Sequence, residues 1–268
     1  MEDLIYLYGL IPTAELIEGS LTELKGFDEE SEIYPISIAS TTAVVCRLSG
    51  EKYSEEKIKD LIENDMQWLQ EKAFHHHDTV INLSKKFTTL PLKFCTIYKN
   101  ERNLTETVKA NQDKMEKTFA LLAGKEEWNL KIYCDDSILK EKVSKDHPVI
   151  LEKMKAISHL SKGKQFFEKK KIDKLVDGEV EAEKTKISEK IHLQLKDFVV
   201  AGDIKRNWNK DVTGRQENMT WNSVYLIAES NVEAFLQEIQ QYQRKMEESG
   251  WKFEATGPWP AYHFSSFS

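Results

Sequence analysis

Cysteine is scarce in this chain, and the few that occur exclude two kinds of small-domain scaffold. Only three are present among 268 residues, Cys46, Cys95 and Cys134. They are far apart in the sequence, odd in number and form no CxxC pair, so the sequence predicts neither a disulfide framework nor a zinc knuckle. This usage is typical of a protein from the reducing cytosol.

Glycine, proline and long apolar runs are also sparse. With 11 Gly and 6 Pro, and 40% apolar against 31% charged residues, the composition is that of a globular protein rather than a disordered or fibrous one. No segment approaches the roughly 20 apolar residues of a membrane span. The N-terminus is acidic where a secretory signal needs basic residues. We therefore expect a complete, cytoplasmic chain.

Basic residues are outnumbered, which bears on the possible partners. Lys and Arg total 38 against 45 Asp and Glu, a net charge of −7, and an acidic surface argues against nucleic acid as the main partner. The sequence contains no GxSxG, GxGxxG, Walker loop or HExxH motif. Carboxylates are too abundant to single out an acid–base pair. We expect a protein that is not an enzyme, with no cofactor, metal, small-molecule substrate or membrane partner.

Apolar periodicity predicts an α+β fold of two domains divided near residues 124–127. The N-terminal domain, residues 1–124, opens with three strand patterns, at 4–11, 32–40 and 41–48. A helix from Ser54 to about Phe74 and a second helical stretch follow. A strand over 90–98 and one helix ending at Gly124 complete this α+β domain.

The C-terminal domain, residues 125–256, begins with a strand in which Trp128, Leu130, Ile132 and Cys134 alternate. A long charged helical region follows, and Gly163 and Gly178 are expected to break or bend it. A strand at 224–227, a helix with a Ser230–Glu233 capping box and a strand from Trp251 complete the domain. This order is one strand short of βαββαβ, which predicts a modified ferredoxin-like sheet with long helices.

Three adjacent histidines and the three cysteines are the first candidates for chemistry. Side chains at His75, His76 and His77 would point about 100° apart on a helix, so they cannot converge on one metal ion, and a partly exposed helix end is the favoured interpretation. The cysteines all lie in predicted strands, where a thiol is ordinarily a small buried hydrophobe. An enzyme with a Cys–His site is the remote alternative.

The most basic segment also contains two aromatic residues. Phe166 and Phe167 precede a run of three lysines, Lys169, Lys170 and Lys171. The favoured interpretation is a helix with a solvated Lys face and a Phe anchored in the core. The alternative is a docking surface for an acidic protein, because acidic residues at 179, 181 and 183 would repel a phosphate polymer.

The chain closes on TGPWPAYHF, residues 256–264, which is almost uncharged. Pro258 and Pro260 each fix φ and remove an N–H donor, so they should hold the backbone extended and outside any sheet ladder. The packing of Trp259, Tyr262 and Phe264 must then order this segment. We predict that the tail, residues 257–268, packs on the domains, and the sequence leaves open whether these aromatics seal the protein or bind a partner.

Five segments, taken together and in order, resemble the gas vesicle protein F/L (GvpL/GvpF) family, most of all its L-type members. They are LIYLYGLIP at 4–12, WLQEKAFHHH at 68–77, LPLKFCTIY at 90–98, GKEEWNLKIY at 124–133 and GPWP at 257–260. Two departures are visible. Ala261 stands where family members often have a second proline, and SKGK at 161–164 replaces a frequent Ser-Pro-Gly-Arg turn.

The resemblance implies a non-enzymatic accessory protein of gas vesicle formation. Such a protein would bind the hydrophobic shell subunit and other accessory gas vesicle proteins at an early stage, as a nucleation or chaperoning factor. The alternative is a minor structural constituent of the finished shell. The resemblance also implies a gas vesicle-associated location and two α+β domains, the second a modified ferredoxin-like one.

Overall fold

The computed structural model describes residues 3–16, 21, 24–28 and 31–265. The chain separates into two compact units, one formed by the residues up to Glu127 together with those from Pro258 onward, and the other by Trp128–Gly257. Each unit combines a β-sheet with helices. The predicted α+β class is confirmed.

The first unit is built on five strands. In chain order these are β1 (Leu4–Pro12), β2 (Ile33–Ile38), β3 (Thr41–Leu48), β4 (Leu90–Pro91) and β5 (Ile97–Tyr98). The sheet order is β2-β3-β1-β4, and β5 also pairs with β1. Strands β1 and β3 are buried on both faces, which explains why the sequence shows continuous apolar runs there rather than alternation.

A β-bulge in β1 determines which side chains share a face. Leu7 pairs with Val45 but Gly9 with Val44, so Tyr8 is the extra residue. As a result Tyr6, Tyr8 and Ile11 pack in one apolar cluster and Leu7 in the other. The two tyrosines therefore enter the core on the same side of the sheet.

Two helix pairs pack against this sheet. Helices α1 (Glu55–Asn64) and α2 (Met66–Ser84) contribute Ile58, Val80 and Leu83 to the cluster that contains Tyr6. Helices α3 (Glu101–Ala110) and α4 (Gln112–Leu122) contribute to the cluster that contains Leu7. The single helix predicted before Gly124 is thus two helices, because Asn111 ends α3.

Helix α2 differs from the prediction in both of its ends. The Asp65 carboxylate accepts a 2.9 Å hydrogen bond from the Trp68 N–H, so a new helix starts where the sequence predicted continuity. The helix continues past Phe74 to Ser84. The expectation that the three histidines mark a helix end is therefore wrong.

The alternating segment 90–98 forms two short strands rather than one. Residues 94 and 95 lie in a turn between β4 and β5, and Cys95 has a φ of 61°, the left-handed region that non-glycine residues seldom adopt. The placement of Cys95 inside a strand is therefore wrong. Cys46 and Cys134 do lie buried in strands, Cys46 in β3 and Cys134 at the end of the strand Lys125–Cys134.

The second unit has four strands in the order β7-β8-β6-β9. They are β6 (Lys125–Cys134), β7 (Ala201–Ile204), β8 (Asn218–Ala228) and β9 (Trp251–Trp259). Its helices are α5 (Asp136–Asp146), α6 (Pro148–Ser158), α7 (Lys162–Leu195), the short α8 (Lys210–Thr213) and α9 (Glu229–Met246). The core contains Trp128, Leu130 and Ile132 of β6 with Phe235 and Ile239 of α9.

Strand β7 supplies the strand that the sequence prediction lacked. With it, strands and long helices follow the order βαββαβ, so the expected absence of one strand is wrong. The sequence shows no strand pattern at this position because β7 is a four-residue edge strand that is largely exposed. Gly202 lies opposite Tyr225 of β8, and glycine carries no apolar signal.

Three other boundaries in this unit correct the prediction. Helix α7 runs through Gly178 without a break, and Gly163 lies in its first turn. Helix α9 starts at Glu229 directly after β8 and has no side-chain cap, so the predicted Ser230–Glu233 capping box is wrong. In both places the neighbouring elements fix the helix more strongly than the local sequence signal does.

Candidate functional site

From Pro258 onward the C-terminal segment belongs to the first unit, where Trp259 packs on α2. Strand β9 includes Gly257 and Pro258 and ends at Trp259, so the predicted exit from the ladder before Pro258 is wrong. Proline is compatible with this position because β9 is an edge strand, where some N–H groups have no strand partner. The Trp259 ring lies against the His77 ring of α2, with 5.7 Å between centroids.

Beyond Trp259 the described tail, which ends at Ser265, makes further contacts in the first unit. The His263 N–H donates to a Glu127 carboxylate oxygen at 2.9 Å, and Glu127 is buried. Tyr262 is 36% exposed, yet burial of its hydroxyl raises the pKa to about 12. Phe264 is half-buried and meets the His263 ring edge-on. Residues 266–268 of the predicted tail lie outside the described residues.

Helix α2 continues this aromatic segment with an exposed apolar stripe. Met66, Phe74 and His77 lie on one helical face, because residues spaced by three or four positions are neighbours. Met66 is 65% exposed and Phe74 is 73% exposed. We call Met66, Phe74, His77 and Trp259 the α2–tail surface. Sequence analysis missed Met66 and Phe74 because it assigned apolar residues of this helix to the buried face.

The charges around the α2–tail surface are mainly acidic. Glu63, Glu71 and Asp78 are exposed on α1 and α2. The nearby Lys72 is largely covered; its ammonium pairs with Glu71 at 3.1 Å and lies over the Phe27 ring. The exposed apolar side chains of α2 are therefore accompanied by exposed carboxylates.

Beneath this surface the histidines join a buried hydrogen-bond network. The Leu92 carbonyl can only accept, so His76 Nε2 donates to it at 3.0 Å, and Nδ1 accepts from the Tyr6 hydroxyl at 2.8 Å. Tyr6 in turn accepts from the Cys95 N–H at 3.3 Å. Burial lowers the pKa of His76 to about 4, so the ring is neutral and fully bonded. This arrangement ties α2 to the 92–96 turn.

The surroundings of the three thiols do not favour the alternative of an enzyme with a Cys–His site. Burial raises the pKa of Cys46, that of Cys95 to about 11 and that of Cys134 to about 12. Protonated thiols are weak nucleophiles, and Cys46 Sγ is hydrogen-bonded to the Phe27 N–H and the Tyr8 hydroxyl rather than to a histidine. Within residues 3–16, 21, 24–28 and 31–265, no three His, Cys, Asp or Glu side chains group as metal ligands.

The basic segment in the second unit is arranged differently from the favoured prediction. Phe166 and Phe167 are 58% and 68% exposed, so a Phe anchored in the core is wrong. The reason is the direction of the two rings: the buried stripe of α7 begins at Ile172, which lies on the opposite side of the helix from them. Lys169, Lys170 and Lys171 are exposed beside the two rings.

The described part of the chain contains no helix that is both long and apolar enough to cross a membrane.

Comparison with known proteins gives consistent results along the chain. The family model for gas vesicle synthesis protein GvpL/GvpF matches residues 4–266. Gas vesicle protein L of Streptomyces sp. (strain CB03234) is 20% identical over 227 residues, 84% of this chain and 80% of that protein. Gas vesicle protein F of Nostoc sp. (strain PCC 7120) is 25% identical over 248 residues, 91% of each chain.

Two solved structures share the fold. The crystal structure of GvpF from Anabaena sp. PCC7120 matches with a TM-score of 0.75 at 21% identity, covering 100% of both chains. That of GvpF from Microcystis aeruginosa matches with a TM-score of 0.69 at 18% identity, covering 98% of this chain and 99% of the other. With the family model spanning both units, the chain belongs to the gas vesicle synthesis protein GvpL/GvpF family.

Proposed function

We propose that this protein is a non-enzymatic accessory factor of gas vesicle assembly, and that it binds the hydrophobic shell subunit and other accessory gas vesicle proteins at an early stage. The observation that carries the proposal is the family match across residues 4–266. The names of its relatives connect them with gas vesicles. The same role fits an acidic protein that keeps an aggregation-prone subunit dispersed before it joins a nucleus.

We assign the contact with the shell subunit to the α2–tail surface. Phe74 and Met66 expose apolar side chains on the same face of α2 as His77, on whose ring Trp259 packs, and clustered exposed apolar groups mark sites of protein association. Aromatic residues are frequent energetic anchors in such interfaces. In this proposal Trp259 both docks the tail and contacts the partner, since its ring packs on His77 while the residue remains 37% exposed.

Co-expression of the shell subunit with this protein tests the assignment. We expect the shell subunit to co-purify with the unchanged protein and to scatter less light than when expressed alone. The double variant Met66→Ser/Phe74→Ser should lose most of both effects. Its matched control is Leu193→Ser/Val212→Ser, which also removes two exposed apolar side chains and should behave like the parent. Equal co-purification by both variants would place the shell contact elsewhere.

The stage of vesicle formation at which the protein acts can be tested independently of its contact surface. Deleting the gene should reduce the number of vesicles if the protein acts in assembly, and normal number and shape would contradict that role. Immunodetection on stringently washed vesicles distinguishes a transient factor from a minor constituent of the shell. We expect the protein to be depleted from washed vesicles, and retention in fixed proportion to the shell subunit would favour the structural role.

A further inference from the structure

We propose that the first turns of α7 form a second docking surface, whose occupant is an acidic amphipathic helix of another protein. We call Phe166, Phe167, Lys169, Lys170 and Lys171 the α7 basic face. This surface differs in charge from the α2–tail surface to which we assign the shell subunit, so the inference goes beyond that proposed function. It concerns a partner whose apolar face is bordered by carboxylates.

The helix geometry shows that the two rings are placed outward. Residues advance about 100° around a helix, so Ile172 lies about 170° from the midpoint between Phe166 and Phe167. Ile172 is buried, and the rings therefore project away from the packed side of α7. They contact each other edge to face at 5.8 Å. Two adjacent Phe side chains held in this way are a costly feature for an unoccupied surface.

The charge of this segment is opposite to that of the whole chain. Residues 162–174 contain six Lys and two acidic residues, 6 − 2 = +4, whereas the chain carries −7. In the part of the chain that the structure describes, Lys171 pairs with Glu168 at 2.7 Å, and Lys162, Lys164 and Lys169 have no carboxylate within ion-pair distance. Lys162 and Lys164 do not stabilise their own helix, because cations are unfavourable in the first turn of a helix.

The placement of charge relative to the rings favours a protein over a membrane. The Lys170 ammonium lies 4.9 Å from the Phe166 ring centroid, so cationic and aromatic groups occupy the same face. A helix that lies on a lipid surface separates its apolar and basic residues onto opposite faces. Rings bordered by ammonium groups instead match a partner helix whose apolar face is bordered by carboxylates.

Nucleic acid is the less suitable polyanion. Helix α7 becomes acidic beyond the basic face, at Asp173, Asp177, Glu179 and Glu181, so a phosphate backbone that follows the helix would meet carboxylates after two to three turns. A short acidic helix can end before that point or place its own basic residues there. The basic face is thus suited to a partner of limited length and mixed charge.

Fluorescence anisotropy with the full chain tests the proposal. The probe is a labelled helical peptide of Leu and Glu in amphipathic order, and the comparison probes are a Leu and Lys peptide of the same pattern, single-stranded DNA and vesicles of phosphatidylserine and phosphatidylcholine. We expect saturable binding of the Leu and Glu peptide that weakens with added salt. Saturable binding of the DNA or the vesicles that is tighter than that of the acidic peptide would overturn the proposal, as would no binding of the acidic peptide.

Variants connect the binding to the α7 basic face. Phe166→Ser/Phe167→Ser and Lys169→Glu/Lys170→Glu should each weaken peptide binding by about tenfold or more. The matched control Lys186→Glu/Lys190→Glu reverses two exposed charges farther along the same helix and should bind within about twofold of the parent. Circular dichroism confirms that each variant is folded. Equal weakening of peptide binding by the control would mean that only the net charge of the protein matters, which would contradict the assignment. Co-purification of the shell subunit by these same variants tests the proposed function independently.

Discussion

The backbone N–H of His263 donates a 2.9 Å hydrogen bond to a carboxylate oxygen of Glu127, a residue that is only 4% exposed. A carboxylate removed from water needs such partners, because burying it without them is unfavourable. The last described residues thus satisfy a group that lies far away in sequence. The C-terminal segment is in this respect part of the first unit rather than an appendage to it.

Replacing Glu127 should therefore loosen the tail. We expect Glu127→Ala to lower the free energy of unfolding by about 1.5–3 kcal/mol, the range for a hydrogen bond to a charged group. Glu127→Gln keeps an acceptor for the His263 N–H and should lower the free energy of unfolding by a smaller amount. Denaturant unfolding measures both variants, and limited proteolysis after Trp259 reports on the tail itself. Equal proteolysis of the Glu127→Ala variant and the parent would contradict a docked tail.

Two glycines with contrasting backbones should respond oppositely to alanine. Gly178 lies inside α7 with nothing within 4 Å of an added Cβ, so Gly178→Ala should raise the free energy of unfolding by about 1 kcal/mol through helix propensity. Gly124 has a φ of 65°, which disfavours Ala, and Gly124→Ala should lower it by about 1 kcal/mol. Chemical denaturation of the two variants is the measurement. Destabilisation by Gly178→Ala would indicate that α7 is bent at this glycine after all.

Lys184 provides a test of a buried charge in the second unit. Its ammonium lies 2.6 Å from Asp136 and 2.8 Å from Glu181, while its side chain is 6% exposed. Lys184→Met should lower the free energy of unfolding by about 1–3 kcal/mol, because it leaves the half-buried Asp136 carboxylate without its main partner. The control Lys186→Met removes an exposed ion pair with Glu183 and should change it by less than about 1 kcal/mol. Equal effects would show that Lys184 acts only through its apolar stem.

The sequence predicts buried strands and amphipathic helices well in this chain, and it fails where an element has little apolar contrast. Strands β1 and β3 and the four alternating residues of β6 were recognised because their burial is visible in the residue types. Strand β7 consists of Ala, Gly, Asp and Ile at an exposed edge, so its partner β8 defines it. A pattern in one segment cannot reveal a hydrogen-bond partner elsewhere.

The candidate surfaces were only partly predictable for a similar reason. Phe166 and Phe167 were expected to reach a core, but they lie on the side of α7 opposite the buried Ile172, and which side of a helix faces the core is a tertiary property. The exposure of Phe74 could not be predicted, because an apolar residue contributes the same sequence pattern whether it is buried or exposed. Trp259 was named from the sequence as an aromatic of the tail, while its contact with His77 required the fold.

Acidification should destabilise the first unit through His76. Burial lowers the pKa of this imidazole from 6.5 to about 4, so the folded protein disfavours the protonated ring that the unfolded chain accepts. The corresponding stabilisation is fully present above pH 6.5 and is lost as the pH falls towards 4. A shift of this size corresponds to about 3 kcal/mol. Denaturant unfolding at a series of pH values measures the loss.

Two variants isolate the contribution of His76 from those of other groups. In His76→Gln the side chain no longer titrates, so the variant should be less stable than the parent at neutral pH and the difference should shrink as the pH approaches 4. Tyr6→Phe removes the donor to Nδ1 but leaves the ring buried, and since desolvation is the main cause of the shift, its pH dependence should follow that of the parent. A constant difference between His76→Gln and the parent across this range would mean that His76 keeps an ordinary affinity for protons in the folded protein.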